Sequence, residues 1–339
     1  MSDNKSLPLR RLGLTDMKIT PVGFGAWALG GGEWAFGWGS QDDADSIAAI
    51  RHAVEHHGVN WIDTAAVYGL GRSEEVVGAA LREMSPDQRP FVFTKCGLGW
   101  DEADRRAVAK RIGRPEGIRK EAEASLRRLG VERIDLYQMH WPPDDGTPIA
   151  DYWGALLDLK AEGKVRAVGL SNHNAQQLEA AESLGHVDTL QPPFSAIERG
   201  TAEHLLPWCA AHETAVIVYS PMQAGLLTGA FSVARAEALG ADDWRSRSPH
   251  FKADGLRQNL AFAEALRPIA ERHNVAVAAV AIAWVLSWAP VTGAIVGARS
   301  PAQVDGWVEG GLIQLTSHDL DEIAAAIQAT GAGRGPTRP

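Results

Sequence analysis

The chain has 339 residues, with 33 Lys+Arg against 42 Asp+Glu and a formal net charge of −9. Hydrophobic residues make up 45% and charged residues 22%, which supplies a core and excludes disordered, collagen-like and disulfide-scaffold chains. The acidic balance argues against a nucleic-acid partner, and the longest apolar run, Val275–Leu286, falls well short of the roughly 20 residues of a membrane-spanning helix. The first ten residues carry no apolar stretch of the secretory kind. Cys96 and Cys209 cannot build a framework of bridges, so the expected location is a reducing cytoplasm.

Leu9–Thr20 reads as a small hairpin with its turn near Gly13–Asp16. From Pro21 to about Gln303, short β-branched and aromatic runs alternate with helical stretches. The strand candidates are Val22–Ala26, Asn60–Thr64, Phe91–Lys95, Ile134–His140, Val165–Ser171, Val187–Gln191, Ala215–Tyr219 and Thr292–Gly297. Their continuous apolar character is that of strands covered on both faces, as in a parallel sheet under helices. Between them, Glu116–Leu129 puts Ile118, Ala122, Leu126 and Leu129 on one face, with Pro115 in the first turn and Gly130 as the C-terminal stop. Ser73 is placed to cap a second helix, and Glu162-Gly163-Lys164 ends a third. Eight strand–helix units point to an α/β fold, a (β/α)₈ TIM barrel, with an N-terminal β-hairpin and extra helices. The expected organisation is a single domain over 1–339: hairpin about 9–20, barrel about 21–310, C-terminal helix about 317–329 and a disordered tail over 331–339. An irregular insertion at 226–256 and paired helices at Leu256–His273 and Val275–Leu286 interrupt the repeat.

Barrels of this kind gather function at the C-terminal ends of their strands. The second strand ends in Asp63-Thr-Ala-Ala-Val-Tyr68-Gly, the third in Thr94-Lys95-Cys96-Gly97, and the fourth in Gln138-Met139-His140-Trp141-Pro142. Ionisable groups are costly to bury, yet three consecutive apolar strands deliver them to one rim. Together they suit carbonyl reduction. A tyrosine hydroxyl can protonate the developing alkoxide once a nearby ammonium lowers its pKa from about 10, an aspartate balances that lysine, and a histidine orients the oxygen. Tyr68, Lys95, Asp63 and His140 fill the four roles.

With these motifs assembled, DTAAVYG, FTKCG, QMHWP and GLSNH resemble the aldo-keto reductase superfamily over essentially the whole chain. The similarity is to the bacterial branch related to potassium-channel β-subunits. The resemblance implies NADP (NADPH/NADP⁺) bound across the barrel mouth. It implies Ser171, Asn172 and Gln191 at the nicotinamide carboxamide and Tyr219 stacked on the ring. Ser220 and the backbone around Gly225–Leu226 fall near the pyrophosphate. After the eighth strand, Gly297-Ala298-Arg299-Ser300-Pro301 offers a helix N-terminus and a guanidinium fork suited to a 2′-phosphate, which favours NADP over NAD. Gln303 stands where relatives contact adenosine, and Gly306-Trp307 replace the Glu-Asn pair often found beyond it.

Gly23–Ala28 matches G-x-G-x-x-A, but no helix follows at once, so Gly25 and Trp27 are read as a close approach to cofactor or substrate. Trp27, Trp34, Trp38 and Trp141 are expected to wall the substrate pocket and to favour bulky cyclic carbonyls. Arg245 or Arg247 of the insertion could reach the pyrophosphate. The H-x-x-E-H string at His52–His56 is expected to be a solvated helical face, and no metal is expected. Alternation aims Cys96 at the helix layer. The expected activity is NADPH-dependent reduction of an aldehyde or ketone, with Tyr68 as general acid and a small-molecule substrate. The alternatives are an NADP-dependent alcohol or sugar dehydrogenase and a nucleotide-binding regulatory subunit with little turnover. No apolar surface helix marks an oligomer interface.

Overall fold

In a computed structural model, which describes residues 6–339, the eight strands close into a parallel barrel. The strands are β1 (Val22–Gly25), β2 (Trp61–Asp63), β3 (Phe91–Cys96), β4 (Ile134–Met139), β5 (Val165–Ser171), β6 (Thr189–Gln191), β7 (Ala215–Val218) and β8 (Val291–Gly297). Each pairs with its sequence neighbour, and β8 closes on β1 with Gly297 opposite Gly25. Every strand lies within two residues of its expected position.

Helices α1 (Asp43–Arg51), α2 (Arg72–Glu83), α3 (Pro115–Leu129), α4 (Ile149–Ala161), α5 (Ala175–Glu182) and α6 (Thr201–Ala211) follow the first six strands in turn. The insertion after β7 contains α7 (Val233–Glu237), and α8 (Ala253–Ala265), α9 (Arg267–His273) and α10 (Val277–Leu286) lead to β8. Helices α11 (Pro301–Asp305) and α12 (Ser317–Thr330) complete the chain. The Val275–Leu286 run is spent on α10, which is buried along its whole length. Among the described residues, no single helix is long and apolar enough to cross a membrane.

Period-two alternation decides which side chains reach the barrel axis. Trp61, Phe93 and Leu136 point inward, whereas Ile62, Cys96, Tyr137 and Met139 join the layer between barrel and helices. Cys96 therefore faces the helices, as its register requires. Leu12, Met17 and Ile19 of the hairpin, paired as Arg10–Arg11 with Lys18–Ile19, close the lower end, and Trp61 Nε1 donates to Thr20 O at 2.8 Å. The indole fits only because β1 carries Gly23 and β8 carries Gly293. A Cβ at these positions would stand 2.1 and 2.8 Å from Trp61 ring atoms.

Two local expectations are corrected. Ser73 lies inside α2, whose N-cap is Gly71, and its hydroxyl donates to Ala26 O at 2.8 Å and meets Thr64 Oγ1 at 2.9 Å. A barrel carbonyl outcompetes the helix end for it. The tail over 331–339 is not free either. Arg199, 2% exposed, donates from its guanidinium to Ala332 O at 3.0 Å and Gly335 O at 3.2 Å, and Ala332 is fully buried. A buried cation needs acceptors, and the tail carbonyls supply them.

Gly23→Ala should therefore displace Trp61 and destabilise the fold by about 1–3 kcal/mol, the usual penalty of overpacking, read by urea unfolding. Combining it with Trp61→Phe should restore part of the loss. A Gly23→Ala protein of unchanged stability would show that Trp61 is not confined there.

Candidate active site

The same alternation that buries Trp61, Phe93 and Leu136 lifts Asp63, Lys95 and His140 to the upper rim. Lys95 Nζ sits 2.5 Å from Asp63 Oδ1, donates to Thr64 O at 2.9 Å, and lies 3.4 Å from the Tyr68 hydroxyl. Gln191 Nε2 donates to the other Asp63 oxygen at 2.8 Å. The Tyr68 and His140 rings meet edge to face at 5.6 Å. The four residues proposed for one chemistry are thus together at one opening.

Tyr68 hangs on the loop after β2, and two glycines set its height. Gly69 has a positive φ of 63°, and a Cβ there would come 2.3 Å from Gly30 O. The loop carrying Trp27–Gly30 can therefore press directly on the backbone that follows the tyrosine.

Burial pushes the Asp63 carboxyl up and the Lys95 ammonium down, and their contact works against both shifts. Burial, then the Asp63 charge, raises the Tyr68 phenol well above its ordinary value. This corrects the expected direction. Tyr68 therefore stays a protonated phenol, which is the form a proton donor requires. Burial, assisted by Lys95, holds His140 well below the ordinary imidazole value, leaving a neutral ring with one N–H to donate.

Above these groups lies a cavity of about 720 Å³, within the usual range for ligand sites. Gly25, Trp27, Trp34, Trp38, Trp141, Ser171, Asn172, Gln191, Tyr219, Ser220, Gly225, Gly297, Arg299 and Gln303 all line it, with Asp63, Tyr68 and His140. Lys95, 1% exposed, lies beneath it. The Leu226 side chain is fully buried in the core, while Gly225 beside it lines the cavity.

Several polar groups expected at a nucleotide are engaged within the chain. Ser171 Oγ donates to Gln191 O at 2.7 Å, Asn172 Nδ2 to His140 O at 2.9 Å, and the Tyr219 hydroxyl to Asn172 Oδ1 at 2.8 Å. The Arg299 fork bonds Gln41 Oε1 at 2.5 Å, Trp38 O at 3.3 Å and Ser40 O, while Gln303 Oε1 accepts from the Arg299 backbone at 2.8 Å. Helix α11 has only five residues, and Ser300 at its N-cap makes no side-chain cap bond, so its first backbone N–H groups are not taken by that hydroxyl.

The insertion closes over the mouth. Trp244 stacks on Trp27 at 5.3 Å, Trp38 meets both rings edge-on, and Arg245, paired with Asp243 at 2.6 Å, lies over Trp38. Arg245 lines the cavity; Arg247 does not, being bonded to the carbonyls of Ala35 and Ala241. Trp27 and Trp34 each stand 6.2 Å from the Tyr68 ring. Sequence reasoning missed Trp244 and Arg111. The first directly precedes Arg245 in the insertion, and the second lies over Trp141 at 4.4 Å from a two-stranded turn, Leu98–Gly99 with Lys110–Arg111, that carries no motif.

The residues present fit a dinucleotide. The lining sets the amides of Asn172, Gln191 and Gln303, the guanidinium groups of Arg245 and Arg299 and the flat Tyr219 ring around one cavity, donors and a stacking face of the kinds that amide, phosphate and ring groups of a dinucleotide take. Trp307 is 2% exposed and packs in the core with one edge on the cavity.

Residues 21–328 match the aldo/keto reductase family. The chain is 34% identical to the NADH-specific methylglyoxal reductase of Escherichia coli, covering 96% of this chain and 99% of that protein. It is 32% identical to the aldo-keto reductase YhdN of Bacillus subtilis, over 93% and 92%. The glycerol dehydrogenase AKR11B4 from Gluconobacter oxydans superposes with a TM-score of 0.85 at 36% identity, covering 98% of both chains.

His173 supports this rim from below: Nδ1 meets Ser171 O at 2.8 Å and Nε2 meets the Tyr152 hydroxyl at 3.0 Å. Burial lowers its pKa to about 4. Unfolded, it titrates near 6.5, so between these values the unfolded chain holds more protons, and stability falls as pH drops from about 6.5 to about 4. From about pH 7.5 to about pH 5 this residue should cost about 2 kcal/mol. His173→Gln should flatten the decline by that amount in urea unfolding; the same pH dependence in both proteins would rule the residue out as its source.

Proposed function

The chain belongs to the aldo/keto reductase family, and on that footing we propose that it is an NADP(H)-dependent oxidoreductase reducing an aldehyde or ketone to the alcohol, with Tyr68 as proton donor. What carries this reading is the convergence of the Tyr68 hydroxyl and the neutral His140 ring on one cavity floor, above the buried Lys95–Asp63 pair. Ser171, Asn172, Gln191 and Tyr219 would hold the nicotinamide end, and Gly225, Arg245, Arg299 and Gln303 the phosphate and adenosine end. A bound reduced nicotinamide supplies hydride.

The chain's own part is the oxygen. As the carbonyl oxygen gains negative charge, Tyr68 Oη transfers its proton to it and His140 donates an N–H to the same atom. Lys95, 3.4 Å away, offsets the charge left on the phenolate until a proton returns. Trp27 and Trp34 beside Tyr68 exclude water and offer flat apolar surface, which supports a preference for bulky cyclic carbonyls. The setting we propose is the cytoplasm, in line with two free, buried cysteines.

A second reading, NAD(H) as the preferred cofactor, is favoured by the state of Arg299. Its fork already serves Trp38, Ser40 and Gln41, and those bonds must open before it can grip a 2′-phosphate. Tryptophan-fluorescence titration decides: tighter NADPH than NADH binding, with the difference lost in Arg299→Ala, supports NADP, and equal or reversed affinities support NAD. Tyr68→Phe should lower turnover on an aldehyde and ketone panel by about 10²–10⁴-fold with nucleotide affinity nearly intact. Wild-type turnover in that variant would refute the role of Tyr68.

A further inference from the structure

The H-x-x-E-H string does not use its own two histidines as a pair. After α1 the helix widens to a π-turn over His52–His56. In an ordinary helix the neighbours on one face are three or four residues apart. The wider turn instead brings His57, five residues on, back over His52, with their Nε2 atoms 3.3 Å apart. Both nitrogens also converge on one oxygen of α11, Asp305 Oδ1, at 2.6 Å from His52 and 2.8 Å from His57. Among the described residues this is the one group of three such side chains whose ligand atoms all lie within 4.8 Å.

If both Nε2 atoms carry hydrogen, both donate to the single Asp305 oxygen, which has lone pairs for two. If one does not, its lone pair faces a carboxylate oxygen with no proton between them. A shared cation satisfies all three atoms at once. Their triangle has a circumradius of about 1.7 Å, so one ion can stand about 2.0–2.1 Å from every corner, the distance of zinc–imidazole and zinc–carboxylate bonds.

We propose that His52, His57 and Asp305 bind one divalent transition cation of the zinc class on the outer wall of the barrel. Two imidazoles and a carboxylate suit such an ion better than magnesium or calcium, which take oxygen ligands. The histidine side chains are 23% and 26% exposed and that of Asp305 55%, so the ion enters from solvent and water completes its shell. The site clasps α11 to the end of α1. Because α11 follows Arg299 directly and carries Gln303, the ion also steadies the segment bearing those two cavity residues.

Calorimetric titration of the untagged, chelator-stripped chain with Zn²⁺ alone tests this. One ion per chain is expected, with a Kd below about 100 µM, weakened by more than about tenfold in Asp305→Ala and in His52→Ala/His57→Ala. Zn²⁺ should raise the melting temperature of the wild type and leave that of the double variant unmoved, while Mg²⁺ moves neither. The melting curves without metal show whether the variants fold. Binding weaker than about 100 µM, or weakened by less than tenfold in the double variant, would overturn the proposal.

Discussion

The ion pair between Lys95 and Asp63 governs the upper half of the barrel. Both side chains are nearly or wholly removed from water, at 0% and 3% exposure, and a buried charge without a partner is worth several kcal/mol of instability. The surroundings are therefore arranged to leave neither group short of bonds. Thr64 O and the Tyr68 hydroxyl take up the ammonium, and Gln191 reaches across from β6 to the second carboxylate oxygen. Strands β2, β3 and β6 are tied at one level, and slipping any of them by one residue would swap an ionised group for a core side chain.

That constraint also fixes the protonation states. Burial and the Asp63 charge keep the proton on the phenol beside Lys95. The imidazole beside it is denied a proton by burial and by the same cation. The rim is thus set with one neutral acid and one neutral donor, a state that costs no rearrangement when charge develops on a bound oxygen.

The barrel and its rim were legible because their signals are local and periodic. Apolar runs with period two mark the strands, and Asp63, Lys95 and His140 fall on the inward phase at strand ends. What was not legible depends on contacts between distant segments. Trp244 meets Trp27 across more than two hundred residues, and nothing near either one announces the other. The tail over 331–339 looks free because its composition is poor in apolar side chains, yet the fold needs its carbonyls for Arg199. The phenol's pKa went the wrong way in the sequence reading for a related reason: the presence of a lysine is visible there, but the burial of the phenol and its nearness to the Asp63 charge are not. The histidine string at 52–56 read as a solvated surface because an ordinary helical period hides the π-turn that carries His57 over His52.

The hairpin under the barrel decides which end of it is open. With Leu12, Met17 and Ile19 sealing one end and Trp61 filling the axis above them, the cavity is a blind well. Whatever enters or leaves must therefore use the upper mouth, where Trp27, Trp38 and Trp244 stand together above Tyr68 and His140.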